Sequence, residues 1–135
     1  MRHLRVLLPL LVLVGLVAAG CGADNEARDF TRVDADGFAA AIDADAAGVV
    51  IDLRTSEEIA VGYIEGASQL DFYESSFESV LEGLDRDTHY LVYCNSGNRS
   101  AETLRLMKDL GFTQVTELDG GIQAWNAAGL PTVRP

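Results

Sequence analysis

The sequence predicts an α/β domain built on a largely parallel β-sheet. β-favouring segments alternate along the chain with segments of helical periodicity, and this alternation is typical of a parallel sheet covered by helices. The chain has 135 residues, of which 48% are hydrophobic, and this length and composition suit one domain with an ordinary core. Neither an internal repeat nor a low-complexity tract indicates a second domain.

The predicted strands and helices follow one another along the whole length of this domain. Because β-branched and aromatic residues favour strands, we expect strands at 30–33, 49–53, 67–72, 89–94 and 114–118, of which 30–33 and 67–72 have the weaker patterns. Helices are expected between them, at 34–44, 55–62, 75–84 and 98–110.

Start and stop signals mark three of these helices. Thr55 with Glu58, and Ser75 with Glu78, have the spacing of a capping box, in which a hydroxyl caps the helix and the glutamate returns a hydrogen bond. The helix at 98–110 is expected to stop at Gly111. Its apolar face, at helical spacing, consists of Ala101, Leu104, Met107 and Leu110.

Residues 1–20 have the pattern of an export signal, not of a folded element. Basic MRHLR precedes an apolar run that contains Pro9 and is shorter than a membrane-spanning helix requires, so we predict a signal peptide. The run ends in VAAGC, which resembles a bacterial lipobox. We therefore expect lipid on Cys21 and a polar tether at 21–29. The alternative is an ordinary secretory signal cut near AAG, with Cys21 left free.

The acidic charge of the chain disfavours two classes of partner. The whole chain has 10 basic and 21 acidic residues, and the loss of Arg2 and Arg5 with residues 1–20 leaves 8 basic residues and a formal charge of −13. Such a chain repels nucleic acid and anionic lipid surfaces. We expect a monomer in the bacterial cell envelope, with no nucleic-acid partner and with membrane contact only through lipid on Cys21.

Cys94 ends a predicted strand in the segment YCNSGNRS, and a helix opens a few residues later. Gly97 permits a tight loop whose N–H groups point inward, while the helix N-terminus and Arg99 add positive charge. These effects stabilise a thiolate. Ligands of parallel sheets also bind beyond the carboxyl ends of the strands, where Cys94 is expected. On spacing alone, a reactive thiol and an inert strand-end thiol are both open.

Other chemistries find little support in the sequence. His3 belongs to the signal and His89 begins the strand that Cys94 ends, so we do not expect a Cys–His hydrolase, and we interpret His89 as a strand-edge residue. One thiol and one histidine without a ligand-spaced partner predict no metal site, and no Gly-rich phosphate loop is present. If Cys21 carries no lipid, a Cys21–Cys94 disulfide is the alternative to a free thiol.

Three ordered motifs resemble the rhodanese family of sulfurtransferase domains. IDLRTSEEIAVGYIEGA (51–67) is similar to the family's Asp-Val-Arg … Glu-Phe … Gly-His-Ile-Pro-Gly-Ala signature, with Ile59, Tyr63 and Glu65 as departures. LDGGIQAWNAAGLP (118–131) is similar to the closing Gly-Gly … Trp … Gly-x-Pro signature, and YCNSGNRSA lies between the two. The resemblance implies a three-layer fold over residues 30–135, with a central five-stranded sheet flanked by helices.

The same resemblance assigns roles to individual residues. It implies that Cys94 is the nucleophile that becomes a persulfide, that Arg99 holds the donor's oxyanion, and that no cofactor takes part. The remaining assignments are a substrate-binding cradle of Asn95, Ser96, Gly97, Asn98 and Arg99, a structural pair of Asp52 and Arg54, and a structural turn and core anchor of Gly120, Gly121 and Trp125.

The length of the loop favours sulfur over phosphate. Related phosphatases of this fold have Cys-x5-Arg loops and sulfurtransferases have one residue fewer, and Cys94 to Arg99 is Cys-x4-Arg. We expect a sulfurtransferase that moves a sulfane sulfur from a donor such as thiosulfate to a thiophilic acceptor. Because Arg99 is the loop's only cation, a persulfide or polysulfide is the alternative donor. The alternative functions are a non-catalytic binding module and a thiol redox, arsenate- or phosphate-directed enzyme.

Overall fold

The computed structural model describes residues 28–135, in which five strands alternate with five helices. In chain order these elements are β1 (Asp29–Val33), α1 (Ala35–Ala44), β2 (Val49–Asp52), α2 (Ser56–Val61), β3 (Ser68–Gln69), α3 (Phe77–Gly83), β4 (Tyr90–Tyr93), α4 (Asn98–Asp109), β5 (Gln114–Leu118) and α5 (Gly121–Ala127). The predicted signal peptide and Cys21 lie outside the described residues. Within residues 28–135, no helix has both the length and the apolar character needed to span a bilayer.

All five strands form one parallel sheet in the order β1-β5-β4-β2-β3. β4 is the central strand, and each of its residues is buried. The prediction of an α/β domain with a five-stranded, largely parallel sheet is therefore confirmed. Because the strands run in the same direction, their carboxyl ends meet at one edge of the sheet, and Cys94 follows β4 there.

Helices cover both faces of the sheet and make the predicted three layers. On one face, α3 and α4 bury Leu81 and Met107 against Val92 of β4. On the other face, α1 and α5 bury Phe38 and Trp125 in a second apolar cluster. Successive residues of a strand point to opposite faces, so Cys94 lies on the α3–α4 side and Tyr93 on the α1–α5 side.

The largest differences from the sequence prediction are in β3 and α5. β3 covers only Ser68–Gln69 and not 67–72, because the chain turns at Asp71, whose side chain accepts the backbone N–H of Tyr73. The helix α5, at Gly121–Ala127, was not predicted. Its first residue follows another glycine, and neither glycine favours a helix from the sequence alone.

One of the two predicted capping boxes is present. The Thr55 side chain accepts the N–H of Glu58, and the Glu58 carboxylate accepts the N–H of Thr55, which starts α2 as predicted. The box predicted at Ser75 and Glu78 is wrong. α3 begins after Ser76, which has helical dihedral angles and makes no side-chain cap.

The buried face of α4 differs from the predicted apolar face. Met107 is fully buried as expected, but the other fully buried positions are Ser100 and Thr103. These two polar side chains are buried because each has a hydrogen-bond partner, and the Thr103 hydroxyl donates to the carbonyl of Arg99 at 2.9 Å. The remaining predicted positions, Ala101, Leu104 and Leu110, are half-buried.

Candidate active site

The Cys94 side chain lies at the carboxyl edge of the sheet, between β4 and α4. Its exposed fraction is 1%, and it has no disulfide partner within residues 28–135. The loop from Cys94 turns into α4 at Gly97, which has the left-handed backbone angle φ +98°. Gly97 allows this turn because it has no Cβ, as the sequence predicts.

The loop donates hydrogen bonds to the Cys94 sulfur. The N–H of Gly97 points at Sγ over 3.1 Å, and the Oγ of Ser100 lies 3.6 Å from Sγ. Burial by itself raises the pKa of the Cys94 thiol. The hydrogen bonds from the Ser100 side chain and from the N–H groups of Ser100, Gly97 and Ser96 outweigh burial and hold this pKa below its ordinary value. The loop therefore favours a thiolate.

The first turn of α5 binds the backbone of the cysteine loop through hydrogen bonds. The N–H of Ile122 donates to the Cys94 carbonyl at 2.8 Å, and the N–H of Gln123 donates to the Asn95 carbonyl at 3.1 Å. Gly121 makes this approach possible, since a Cβ at this position would lie 2.4 Å from the Cys94 carbonyl oxygen. The structure thus places the predicted Gly120–Gly121 turn directly behind Cys94.

The Arg99 guanidinium is paired with a carboxylate of α2. Its Nη1 and Nη2 donate to the two carboxylate oxygens of Glu58 at 2.8 and 2.6 Å, which is a bidentate ion pair. The Tyr73 ring lies 5.4 Å from the guanidinium. The hydrogen bond from Arg99 lowers the pKa of Glu58 to about 2, and Glu58 in turn raises the pKa of Arg99. The sequence singled out Glu58 only as a capping residue.

Asp52 and Arg54 form a buried ion pair that fixes α2. The Nη2 of Arg54 lies 2.6 Å from Oδ2 of Asp52, and both side chains are almost inaccessible to solvent. The same Nη2 donates to the carbonyl of Gly62 at 2.9 Å, just beyond the end of α2. The Tyr93 hydroxyl also donates to Asp52, and burial raises the pKa of Tyr93. The pair therefore holds the helix that presents Glu58 to Arg99.

A second buried carboxylate lies behind the cysteine. Glu117 of β5 is fully buried, and its Oε1 accepts the Ser100 hydroxyl at 2.8 Å. Its Oε2 accepts Nε of Arg32 in β1 at 2.9 Å. Sequence reasoning missed this group. The sequence pattern that could have identified Glu117 is its place two positions after Val115 in a predicted strand, because residues two apart in a strand share one face.

The other predicted residues divide between the core and the rim of the loop. Trp125 is buried as the predicted core anchor, and its Nε1 donates to the Pro131 carbonyl at 2.9 Å. Asn95 is half-buried, whereas Ser96 and Asn98 are exposed at the turn.

A cavity of about 240 Å³ opens beside Asn95. It is lined by Arg54, Glu58, Val61, Gly62, Asn95, Ile122, Asn126 and Thr132. A cavity of about 400 Å³ lies at the ends of β1 and β5 and includes no residue between Cys94 and Arg99. The smaller cavity is therefore the one that adjoins the cysteine loop.

His89 lies at the opposite, amino end of β4. Its Nδ1 is 3.0 Å from Oδ2 of Asp45, and its Nε2 is 2.9 Å from Oγ1 of Thr116. The histidine precedes the strand that Cys94 follows, so the structure does not bring the two together. This placement agrees with the interpretation of His89 as a strand-edge residue.

Comparison with known proteins gives consistent matches over most of the chain. The family model described as rhodanese-like domain matches residues 34–128. A sulfurtransferase of Allochromatium vinosum is 36% identical over 87 residues, which are 64% of this chain and 79% of that protein. A thiosulfate sulfurtransferase GlpE of Ectopseudomonas mendocina is 34% identical over 79 residues, which are 58% of this chain and 71% of that protein.

The fold is also similar to solved structures. The crystal structure of a rhodanese-related protein from Thermoplasma volcanium superposes with a TM-score of 0.66 at 30% sequence identity. The match covers 76% of this chain and 97% of that chain. The family match begins just after β1, and it includes the helices α1 to α5 and the cysteine loop.

Proposed function

This chain belongs to the family of rhodanese-like domains, and from that premise we propose that it transfers sulfur through a persulfide on Cys94. Its relatives in Allochromatium vinosum and Ectopseudomonas mendocina are named sulfurtransferases, which supports a transferase of the rhodanese type. The observation that carries the proposal is the buried Cys94 sulfur, which accepts hydrogen bonds from the loop at the N-terminus of α4. Such a loop stabilises a negative sulfur without a general base.

The first half-reaction loads sulfur onto the cysteine. The Cys94 thiolate attacks the outer sulfur of a donor such as thiosulfate, and a new S–S bond forms. The old S–S bond breaks, its electron pair leaves with sulfite, and the enzyme keeps one sulfur atom as a persulfide anion. The N–H of Gly97 and the positive end of α4 stabilise the negative charge throughout.

The second half-reaction returns the cysteine to its starting state. A thiophilic acceptor such as cyanide attacks the outer sulfur of the persulfide, and the S–S bond to Cys94 breaks. The acceptor leaves with the sulfur, and the electron pair returns to Cys94 as a thiolate. The thiolate is a competent leaving group because the same hydrogen bonds stabilise it.

The charge around the loop favours donors that carry little negative charge. Arg99 is the only cationic side chain of the loop, and Glu58 neutralises it at 2.6 Å. The chain as a whole is acidic and repels a dianion such as thiosulfate at long range. We therefore infer that the physiological donor is a persulfide or a polysulfide with organic end groups, because the sulfur chain of either carries less negative charge than thiosulfate. Thiosulfate then serves as an assay substrate.

The proposed transfer is tested with purified protein, thiosulfate and cyanide. We expect thiocyanate to form with wild-type protein and not with Cys94→Ser, since a hydroxyl cannot carry a sulfane sulfur. Incubation with thiosulfate or with a small-molecule persulfide should add the mass of one sulfur atom to the wild type only. If no sulfane donor adds this mass, the chain is a binding module instead of a transferase.

The exported location is proposed from the sequence alone. We propose that Cys21 carries lipid and anchors the domain to a bacterial membrane, because VAAGC resembles a lipobox. The intact mass of the native protein tests this proposal together with the persulfide. The lipid reading predicts a chain that starts at Cys21 with acyl chains attached, whereas an unacylated chain would support an ordinary secretory signal.

A further inference from the structure

Ser100 lies between the Cys94 sulfur and a buried carboxylate. Its Oγ is 3.6 Å from Sγ of Cys94 and 2.8 Å from Oε1 of Glu117. A third acceptor, the Gly97 carbonyl oxygen, is 3.2 Å away. A serine hydroxyl has one proton, so Ser100 can donate to only one of these acceptors at a time. The acceptor that receives this hydrogen bond therefore decides whether Ser100 stabilises the Cys94 thiolate.

While Cys94 is a thiol, the Ser100 hydroxyl donates its hydrogen bond to the Glu117 carboxylate. Arg32 donates from Nε to the other carboxylate oxygen at 2.9 Å, which pairs the fully buried carboxylate with a cation. A charged acceptor at 2.8 Å binds a hydroxyl more strongly than a carbonyl at 3.2 Å. The thiol of Cys94 then donates its S–H to the free lone pair of Ser100.

When the Cys94 thiol loses its proton, the preferred acceptor of the Ser100 hydroxyl changes. The Cys94 thiolate is itself an anionic acceptor, and it lies within reach of the Ser100 hydroxyl. The hydroxyl then rotates about its C–O bond and donates to sulfur, which leaves Oε1 of Glu117 without that hydrogen bond. Formation of the thiolate therefore carries the cost of one hydrogen bond to a buried carboxylate.

We propose that Ser100 is a two-position hydrogen-bond donor shared between Cys94 and Glu117, and that Glu117 is a positioning residue that keeps the Cys94 thiolate more basic than the loop alone would make it. Two effects of Glu117 act in the same direction. It competes for the Ser100 proton, and its buried negative charge disfavours a second negative charge behind the same hydroxyl.

The other charged groups near Cys94 have different relations to it. The charged side chains that face Cys94 or its partners are Arg99 of α4, Glu58 of α2, Glu117 of β5, Arg32 of β1 and, beyond Arg32, Asp119. The α5 residues that contact the loop, Gly121 and Ile122, are uncharged. The Asp52–Arg54 pair contacts Tyr93, whose side chain lies on the other face of the sheet. Among these groups, Glu117 is the one that shares a proton donor with the sulfur.

The consequence for sulfur transfer rests on the proposed function. A more basic thiolate is a stronger nucleophile and a poorer leaving group. Glu117 therefore favours loading of sulfur onto Cys94 and slows its release to the acceptor. A chain with a neutral residue at this position should release sulfur faster.

The test is the pH dependence of Cys94 alkylation in the wild type and in Glu117→Gln. Iodoacetamide reacts with the thiolate, so the alkylation rate and the ultraviolet absorbance of the thiolate both report its fraction. Glutamine is neutral, and its amide can donate to Ser100 and accept from Arg32, so the buried hydrogen bonds remain. In Glu117→Gln we expect the pH midpoint of Cys94 thiolate formation to move to lower pH. At a pH below the midpoint, alkylation should be about twofold to threefold faster than in the wild type.

Matched variants show whether the effect passes through the hydroxyl. Ser100→Ala should move the midpoint to higher pH, Ser100→Thr should keep the wild-type profile, and Glu117→Gln should have a smaller effect in the Ser100→Ala background. If Glu117→Gln does not fold, Glu117→Asp replaces it, because aspartate keeps a carboxylate beside Arg32 but its shorter side chain withdraws the acceptor from Ser100. The pH midpoint of thiolate formation should then fall, as in Glu117→Gln.

Two results would overturn the proposal. One is a midpoint in folded Glu117→Gln that is unchanged or higher than in the wild type. The other is an effect of Glu117→Gln that is equally large without the Ser100 hydroxyl. Alkylation requires no sulfur donor, so these outcomes are independent of persulfide formation. A chain that forms no persulfide but shows the expected midpoints would lack the proposed function and keep the shared donor.

Discussion

At the scale of single residues, the cysteine loop depends on a position where a side chain is absent. Gly121 begins α5 with the left-handed angle φ +60°, and its Cα lies against the backbone of Cys94 and Asn95. A Cβ there would meet the Cys94 carbonyl oxygen at 2.4 Å, and a backbone atom cannot move aside as a flexible side chain can. Gly129 has a similar angle, φ +74°, but no atom lies within 4 Å of its Cβ position. Alanine variants of the two glycines therefore separate the free-energy cost of the left-handed angle from the cost of the clash with Cys94.

We predict that Gly121→Ala destabilises the domain much more than Gly129→Ala. The angle alone should cost about 1–2 kcal/mol in either variant. The clash at Gly121 should add about 1–3 kcal/mol and push the cysteine loop out of place. Urea denaturation measures the free energy of unfolding, and alkylation of Cys94 measures the state of the loop. Equal losses in the two variants, with unchanged alkylation, would contradict the predicted contact.

At the scale of elements, α2 is a short helix held by its ends instead of by a buried face. Its six residues, Ser56–Val61, include no buried side chain. The capping box of Thr55 fixes its start, and the Arg54 guanidinium binds the Gly62 carbonyl beyond its end. These contacts position Glu58, whose carboxylate binds Arg99 of the cysteine loop. Helix α2 therefore links the edge of the sheet to the loop.

Removal of the Thr55 cap should loosen α2 selectively. We expect Thr55→Ala to cost about 1 kcal/mol of folding stability and to speed amide hydrogen exchange in α2. Ser75→Ala is the matched control, because Ser75 has the same sequence spacing to a glutamate but does not cap α3. The control should change stability by less than about 0.5 kcal/mol. Similar losses in both variants would mean that the hydroxyl, and not the cap, matters.

At the scale of the whole molecule, the acidic charge acts on every reagent that approaches Cys94. The chain carries 21 acidic and 10 basic residues. Its field is weak within the loop, where Glu58 and Arg99 neutralise each other, but it extends into solvent at low ionic strength. Anionic reagents should therefore reach the thiolate more slowly than neutral reagents of the same size.

The salt dependence of two alkylating reagents tests this expectation. Iodoacetate is an anion and iodoacetamide is neutral, and both react with the same sulfur. Between ionic strengths of about 10 mM and 150 mM, over which the Debye length falls from about 30 to 8 Å, the iodoacetate rate should rise at least about twofold. The iodoacetamide rate should stay constant. If salt leaves the iodoacetate rate unchanged, the acidic surface does not disfavour an anionic donor.

Sequence patterns predicted those features that neighbouring residues encode. The strand at Gln114–Leu118 and the capping box of Thr55 depend on local spacing and propensity, and both are present as predicted. The α/β class and the parallel sheet follow from the alternation of such segments. The capping box at Ser75 fails because the chain turns before α3, which begins after Ser76. Helix α5 was missed because its first residue and the residue before it are both glycines, which do not favour a helix.

Spacing along the chain was enough to predict the alternation of strands and helices as far as β5, the position of Cys94 after β4 and the count of residues to Arg99. The tertiary structure alone decided which groups surround that cysteine. Glu58 meets Arg99 across 41 residues, and Ser100 meets Glu117 across 17. These pairs form because the parallel sheet brings the carboxyl ends of its strands to one edge and α4 packs beside them. No local pattern encodes that packing, and it sets the charge and the hydrogen bonds at the sulfur.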